Sequence, residues 1–168
     1  DQVFTFKHAL TREVAYGSLL HERRRALHSK IVDALEALYP DRLGEYAEYL
    51  AYHALQGEVW DKTMAYCRQA GEKARHRGAV REAVTYYEQA LDALGQLPEH
   101  SDTGVLAIEL YYRFGGVLSL VGEHARSLAL LGAAAARARQ LGDRARLGRA
   151  LSRMVTVRMI VGDVEGAM

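Results

Sequence analysis

An all-α chain of stacked antiparallel helix hairpins is what this sequence predicts, and three observations carry the prediction. Two stretches forty residues apart say nearly the same thing: Gly122-Glu123-His124-Ala125-Arg126-Ser127-Leu128 is echoed by Gly162-Asp163-Val164-Glu165-Gly166-Ala167-Met168. Each follows a long amphipathic run, Leu106 to Val121 in the first case and Leu147 to Val161 in the second. A period of this length, with a turn glycine at the same phase, is the mark of a helical-hairpin array. Third, alanine, leucine, glutamate and arginine dominate and only two prolines interrupt 168 residues. That composition favours helix nearly everywhere.

Composition also narrows the class of function. The chain is 49% hydrophobic and 26% charged, which is a folded protein and not a disordered one. A net charge of +1 gives no bulk attraction to nucleic acid or to a membrane surface. Cys67 is alone, so an internal disulfide is excluded, and a reducing, cytoplasmic setting is expected. No apolar run approaches the roughly 18 residues that span a bilayer, and no signal-peptide pattern opens the chain. It begins at Asp1 without methionine and closes within a repeat, so a piece of a longer protein is expected.

Taken in order, Val3-Phe4-Thr5-Phe6-Lys7 alternates apolar and polar, a strand signal. It reads as a terminus packed on helix or as the last strand of a preceding domain. Helices follow over 8–20 and 22–39; in the second, Leu27, Ile31, Ala34, Leu35 and Leu38 form one apolar stripe, and Pro40 stops it. A third helix over 43–56 puts Ala47, Leu50, Ala51 and Ala54 on one side and ends at Gly57. Two more, over 59–76 and 79–94, hinge at Gly78. Ala70-Gly71 in one and Ala83, Tyr87 and Ala90 in the other sit where small side chains let two helices nest, with a tyrosine filling the gap. A polar linker over 97–103 leads to the next copy, capped at Ser101 or Asp102. There Phe114-Gly115 stands for Ala70-Gly71, and Ser127, Leu131 and Ala134 stand for Ala83, Tyr87 and Ala90. A third copy offers Met154-Val155 and Ala167.

In this register the chain resembles the tetratricopeptide repeat, whose pattern is apolar–glycine in the first helix and small–aromatic–small in the second. Copies align over 64–97 and 108–141, and a third begins near 148. Cys67 stands where the family has tryptophan, Val155 replaces the glycine, and the spacing between copies is longer than the family's. The resemblance implies a right-handed α-α superhelix over 41–168 whose first helices line a concave groove. Carried over residue by residue, the lining is Ala65, Arg68, Glu72 and Arg75, then Glu109, Tyr112, Gly116 and Ser119, then Arg149, Ser152, Thr156 and Met159. Its arginines and tyrosine suit an acidic or aromatic peptide. The lysines and asparagines with which the family's best-known groove clamps a carboxylate are missing from these positions.

Residues 1–40 carry a second resemblance. Phe4-Thr5-Phe6-Lys7-His8-Ala9-Leu10, Arg12-Glu13-Val14-Ala15-Tyr16 and Arg23-Arg24-Arg25-Ala26-Leu27-His28 look like a junction in large bacterial signalling ATPases. There an ATPase module and a winged-helix-like segment precede a helical repeat array, sometimes with a nucleotide cyclase domain in front. The resemblance implies a parent that hydrolyses ATP; this chain has no phosphate loop of its own.

No reactive constellation competes with a binding role. The seven histidines include no pair at the i, i+4 spacing of a helix-borne metal site. Cys67 falls at a core-facing position, where a small buried hydrophobe is expected. Glu45 and Glu48 share a helix face with no apolar pocket to separate their pKa values. Arg23-Arg24-Arg25 spreads over about 200° of helix surface, which suits a solvated face or a neighbouring ATPase domain better than a phosphate patch. The expectation is a non-enzymatic interaction and regulatory scaffold module without cofactor or metal. Its partners would be a protein or peptide, the adjacent ATPase domain and, through a bare carboxyl end, a second copy of itself. A nucleic-acid-binding regulator that uses the amino-terminal segment is the alternative.

Overall fold

The computed structural model describes residues 20–98 and 101–162. Within them lie seven α-helices: α1 (His21–Leu38), α2 (Ala47–Gln56), α3 (Trp60–His76), α4 (Val80–Leu94), α5 (Ser101–Leu120), α6 (His124–Gln140) and α7 (Arg144–Ile160). No strand occurs among the described residues. The expected strand at 3–7, the expected helix over 8–19 and Ala167 fall outside them.

Pro40 closes α1 as the sequence predicts, but it opens a 3-10 turn, Pro40–Arg42. Tight bonds continue through that turn, from Arg42 N to Tyr39 O (3.0 Å) and from Glu45 N to Arg42 O (2.9 Å). The α ladder therefore begins only after Tyr46, and α2 starts at Ala47 instead of 43. Glu45 lies in the turn, where Arg42 holds it, and shares no helix face with Glu48.

One joint recurs along the array. Gly78, Gly122 and Gly142 follow α3, α5 and α6 with φ of 80°, 81° and 68°. After each, the next amide reaches back to the helix it has left: Ala79 N to Ala74 O, Glu123 N to Leu118 O and Asp143 N to Ala138 O, all 2.9 Å. This left-handed close satisfies terminal carbonyls and reverses the chain, and glycine adopts it without steric cost. Gly162 repeats the dihedral at 80°. Between α2 and α3 the same bond, Val59 N to Ala54 O (3.0 Å), is made across Glu58, whose φ is 51°.

Small residues set the depth of nesting. A Cβ on Gly71 would stand 2.9 Å from the Tyr87 ring, and one on Gly115 would stand 2.9 Å from Leu131 Cγ. Ala83, Tyr87, Ala90, Ser127, Leu131 and Ala134 are all fully buried at these crossings. Ser127 adds a bond that apolar counting does not foresee: its buried Oγ donates to Gly115 O at 2.7 Å. Tyr87 in turn stacks on Phe114, with ring centroids 5.6 Å apart and planes 10° apart. That contact joins the α3–α4 pair to α5.

Each helix packs chiefly on the one before it and the one after it, with a lesser contact between α5 and α7. An array of this kind has no centre through which all elements pass, and its core runs along it. One apolar cluster extends from Val32 in α1 to Leu118 in α5. A second, smaller and rich in alanine, joins Ile108, Ala134, Ala135, Ala138 and Ala150.

One expectation about α1 is corrected. Its apolar stripe does not face the core: Leu27, Ile31, Ala34 and Leu38 are exposed, and only Leu35 of the five is half-buried. The face that meets α2 carries His28 and Val32 instead. Periodicity identifies a helix but does not choose its neighbour, and here α2 meets the flank of the stripe. Lys62 of α3 secures the other flank through Asp33 (2.8 Å) and Glu36 (2.7 Å), and Tyr66 donates to Glu36 at 2.6 Å.

Candidate functional site

Alternate helices of the array, α3, α5 and α7, bring their polar side chains to one cleft. Glu72 and Arg75 are three apart on α3, Glu109 and Arg113 four apart on α5, and Arg149 and Arg153 four apart on α7. Such spacings place partners on one helix face. The cleft has a volume of about 300 Å³ and is lined by Glu72, Arg75, Tyr112, Arg113, Gly116, Val117, Leu120 and Arg153.

A chain of charge runs across it. Arg75 binds Glu72 at 2.9 Å, Arg113 bridges Glu72 on α3 and Glu109 on its own helix (2.7 Å to the latter), and Arg149 approaches Glu109 at 3.6 Å. Tyr112 stands between two guanidinium groups, Arg149 at 4.5 Å and Arg153 at 5.0 Å from its ring centroid. Arg153 also donates to the Tyr112 hydroxyl at 3.2 Å. Gly116 makes room for that arm: a Cβ there would lie 2.8 Å from Arg153 Nη1.

Electrostatics follow from the geometry. Burial raises the Glu72 carboxyl, but hydrogen bonds from Arg113 and Arg75 outweigh it and leave the group below its ordinary value. The Arg153 hydrogen bond draws the Tyr112 phenol below its ordinary value against the pull of burial. Four arginines face two glutamates here, so the cleft keeps a positive excess that those pairs do not cancel. It can bind anionic groups and stack planar ones.

Three of the seven residues expected to line a partner groove line this cleft, Glu72, Arg75 and Tyr112, while Glu109 and Arg149 join its chain of ion pairs without lining it. Arg68 is half-buried and makes no ion pair among the described residues, and it does not line the cleft. Ser152 is exposed and also stays outside it. Two members escaped the sequence reading, Arg113 and Arg153. Their signal was present, since each lies four residues after an expected groove residue, Glu109 and Arg149.

Comparison with known proteins adds one sequence relative. An uncharacterized protein of Rhizobium meliloti (strain 1021) is 27% identical over 129 residues, covering 74% of this chain. The chain spans 12% of that protein's length. No family model matches. No solved structure matches either.

Other reactive-looking groups are accounted for. Cys67 is fully buried, burial pushes its thiol up to about 12, and its Sγ faces Gln89 Oε1 at 3.6 Å. Burial raises Glu48, yet hydrogen bonds from Lys73 (2.6 Å) and Arg77 (2.7 Å) hold it below its ordinary value. Arg25 leaves the arginine run to bind Glu58 at 3.1 Å. No group of three or more His, Cys, Asp or Glu residues suited to a metal ion occurs among the described residues. No helix among them is long and apolar enough to cross a membrane.

Proposed function

We propose that this chain is a tetratricopeptide-like interaction module, a non-enzymatic scaffold that docks an acidic or aromatic-bearing peptide of a partner protein. The observation that carries the reading is the cleft of α3, α5 and α7. Three alternate helices contribute to it, so a ligand seated there would bridge helices that otherwise pack chiefly on their neighbours in the chain. Arg75, Arg113, Arg149 and Arg153 would supply charge-assisted hydrogen bonds and Tyr112 a stacking face. In a parent of the signalling-ATPase kind, such bridging would stiffen the stack and alter how it sits against an adjoining ATPase domain. The buried, protonated Cys67 supports the non-enzymatic part of the reading, since a thiolate is the nucleophile and this thiol does not ionise near neutrality.

A displayed peptide library panned on the 168-residue chain tests this. Selected peptides should be rich in Asp, Glu and aromatic residues, and their binding should weaken as salt rises. Arg153→Ala and Tyr112→Ala should each weaken binding about tenfold, near 1.4 kcal/mol, while Arg68→Ala should leave it unchanged. Selection of basic peptides, or equal binding by Arg153→Ala, would refute the reading.

A further inference from the structure

Among the described residues, α1 buries few apolar side chains against its neighbours, Val32 fully and Leu35 in part. Its buried side chains are His28 and Val32, while Leu27, Ile31 and Leu38 stay exposed. Half of that buried set is therefore a titratable ring. His28, 5% exposed, meets His53 of α2 with the two Nδ1 atoms 2.7 Å apart and ring centroids 4.9 Å apart. Tyr52 closes the pair edge-on, 5.8 Å from His28 and 5.1 Å from His53. Gly57 allows the approach: a Cβ there would lie 2.9 Å from the Ser29 backbone nitrogen of α1.

A contact of this length between two imidazole nitrogens holds one proton, with one ring donating and the other accepting through its lone pair. Two zinc–imidazole bonds of about 2.0–2.1 Å at a tetrahedral angle would set the nitrogens wider, at roughly 3.3–3.4 Å. The spacing fits a shared proton and not a bound ion. When both rings are imidazolium, each Nδ1 carries a hydrogen, and two hydrogens then point at each other between two positive charges. The rings must part.

We propose that the His28–His53 pair is a proton-operated latch that docks α1 on α2 at neutral pH and releases it on acidification, leaving α2–α7 stacked. Among the described residues, the surrounding charges leave this direction intact. On α1, Arg24 and Arg25 precede His28 by one turn and add positive charge. Asp33 and Glu36 lie beyond it and are engaged by Lys62 of α3. Glu58, after α2, binds Arg25 at 3.1 Å. Tyr49 and Tyr52 on α2 bring phenol hydroxyls and no carboxylate to this face. His21 lies 3.7 Å from Glu58 at the surface, where a pair of this kind contributes little.

Burial pushes both rings below the ordinary histidine value, and the neighbouring His28 pushes His53 further. A base whose value is depressed in the folded state contributes stability that is complete above its unfolded value and lost as pH falls below it. Release therefore belongs to the range below about pH 6.5.

Hydrogen exchange of the 168-residue chain, corrected for intrinsic rates, tests the latch at about pH 7 and about pH 5. Protection of α1 amides should fall about tenfold or more at the lower pH relative to those of α3–α6. His53→Gln can still hydrogen-bond His28 but does not titrate, and it should remove most of that dependence. Ring resonances of the unmodified chain give an independent reading: both histidines should titrate below about 6.5. Equal α1 protection at both pH values, an unaltered dependence in His53→Gln, or either ring titrating above that value would overturn the proposal. So would added Zn²⁺ strengthening α1 protection at neutral pH, which would make the pair a metal site.

Discussion

Gly115→Leu probes the close helix crossing on which the second hairpin depends. A Cβ at this position would lie 2.9 Å from Leu131 Cγ, 3.2 Å from Leu131 Cδ2 and 3.2 Å from the Ser127 carbonyl oxygen. Carbon atoms in comfortable contact stand about 3.5–4.0 Å apart. The Ser127 carbonyl is backbone within α6, so only a shift of the whole helix relieves it. Overpacking of this sort costs about 1–3 kcal/mol. Leucine adds three more carbons behind the compressed Cβ, which places the cost at the upper end. Replacing glycine within a helix returns about 0.8–1 kcal/mol. The net loss is about 2 kcal/mol, or roughly 4–8 °C in Tm for a chain of this size. Gly132→Ala is the matched control, since a Cβ there meets nothing within 4 Å. It should gain about 0.5–1 kcal/mol. Thermal unfolding followed by far-ultraviolet circular dichroism reads both. A Gly115→Leu protein that melts with the unmodified chain, or a Gly132→Ala protein that melts below it, would refute the packing argument.

Three more expectations follow from the same contacts. Glu72 titrates below its ordinary value, so its stabilisation is present above about pH 4.3 and lost as pH falls through the folded-state value. Glu72→Gln should flatten the acid limb of a plot of urea midpoint against pH, and an unchanged limb would exclude Arg113 and Arg75 as the cause. Ser127→Ala leaves the buried Gly115 carbonyl without its side-chain donor and should cost about 1 kcal/mol in urea unfolding; a neutral result would mean that bond contributes nothing. Cys67 should resist a thiol reagent at neutral pH until the chain unfolds, because its thiol is buried and protonated. Labelling at the rate of the denatured chain would contradict its placement.

Much of the array was legible because its rules are local. Gly78 and Gly122 announce turns that only a residue without Cβ adopts freely, and Ala83, Tyr87 and Ala90 repeat at the spacing of one helix face. Gly142 lies outside the forty-residue echo, which marks only every second turn. Asp143, whose side chain accepts from Arg146 N at 2.9 Å and so caps α7, lies outside it too. The orientation of α1 could not be read, since its apolar stripe is real but the choice of docking face rests with α2. Likewise the repeat pattern marks the helices that line the cleft without selecting the side chains that reach it. Backbone spacing found Glu109 and Arg149, whereas the long arms of Arg113 and Arg153 reach the cleft from positions that spacing alone does not select. The His28–His53 contact joins residues twenty-five apart on different helices, which no periodicity links.

The repeated joint has a consequence for how such a chain can change over time. Gly122, Gly142 and Gly162 fall at equal intervals of twenty residues with φ of 81°, 68° and 80°. Cutting at one of these points and rejoining two joints later would remove a forty-residue cassette of two whole helices. Lengthening or shortening by whole cassettes is thus open to genetic duplication and loss, whereas an excision out of step with the joints would turn a buried flank outward.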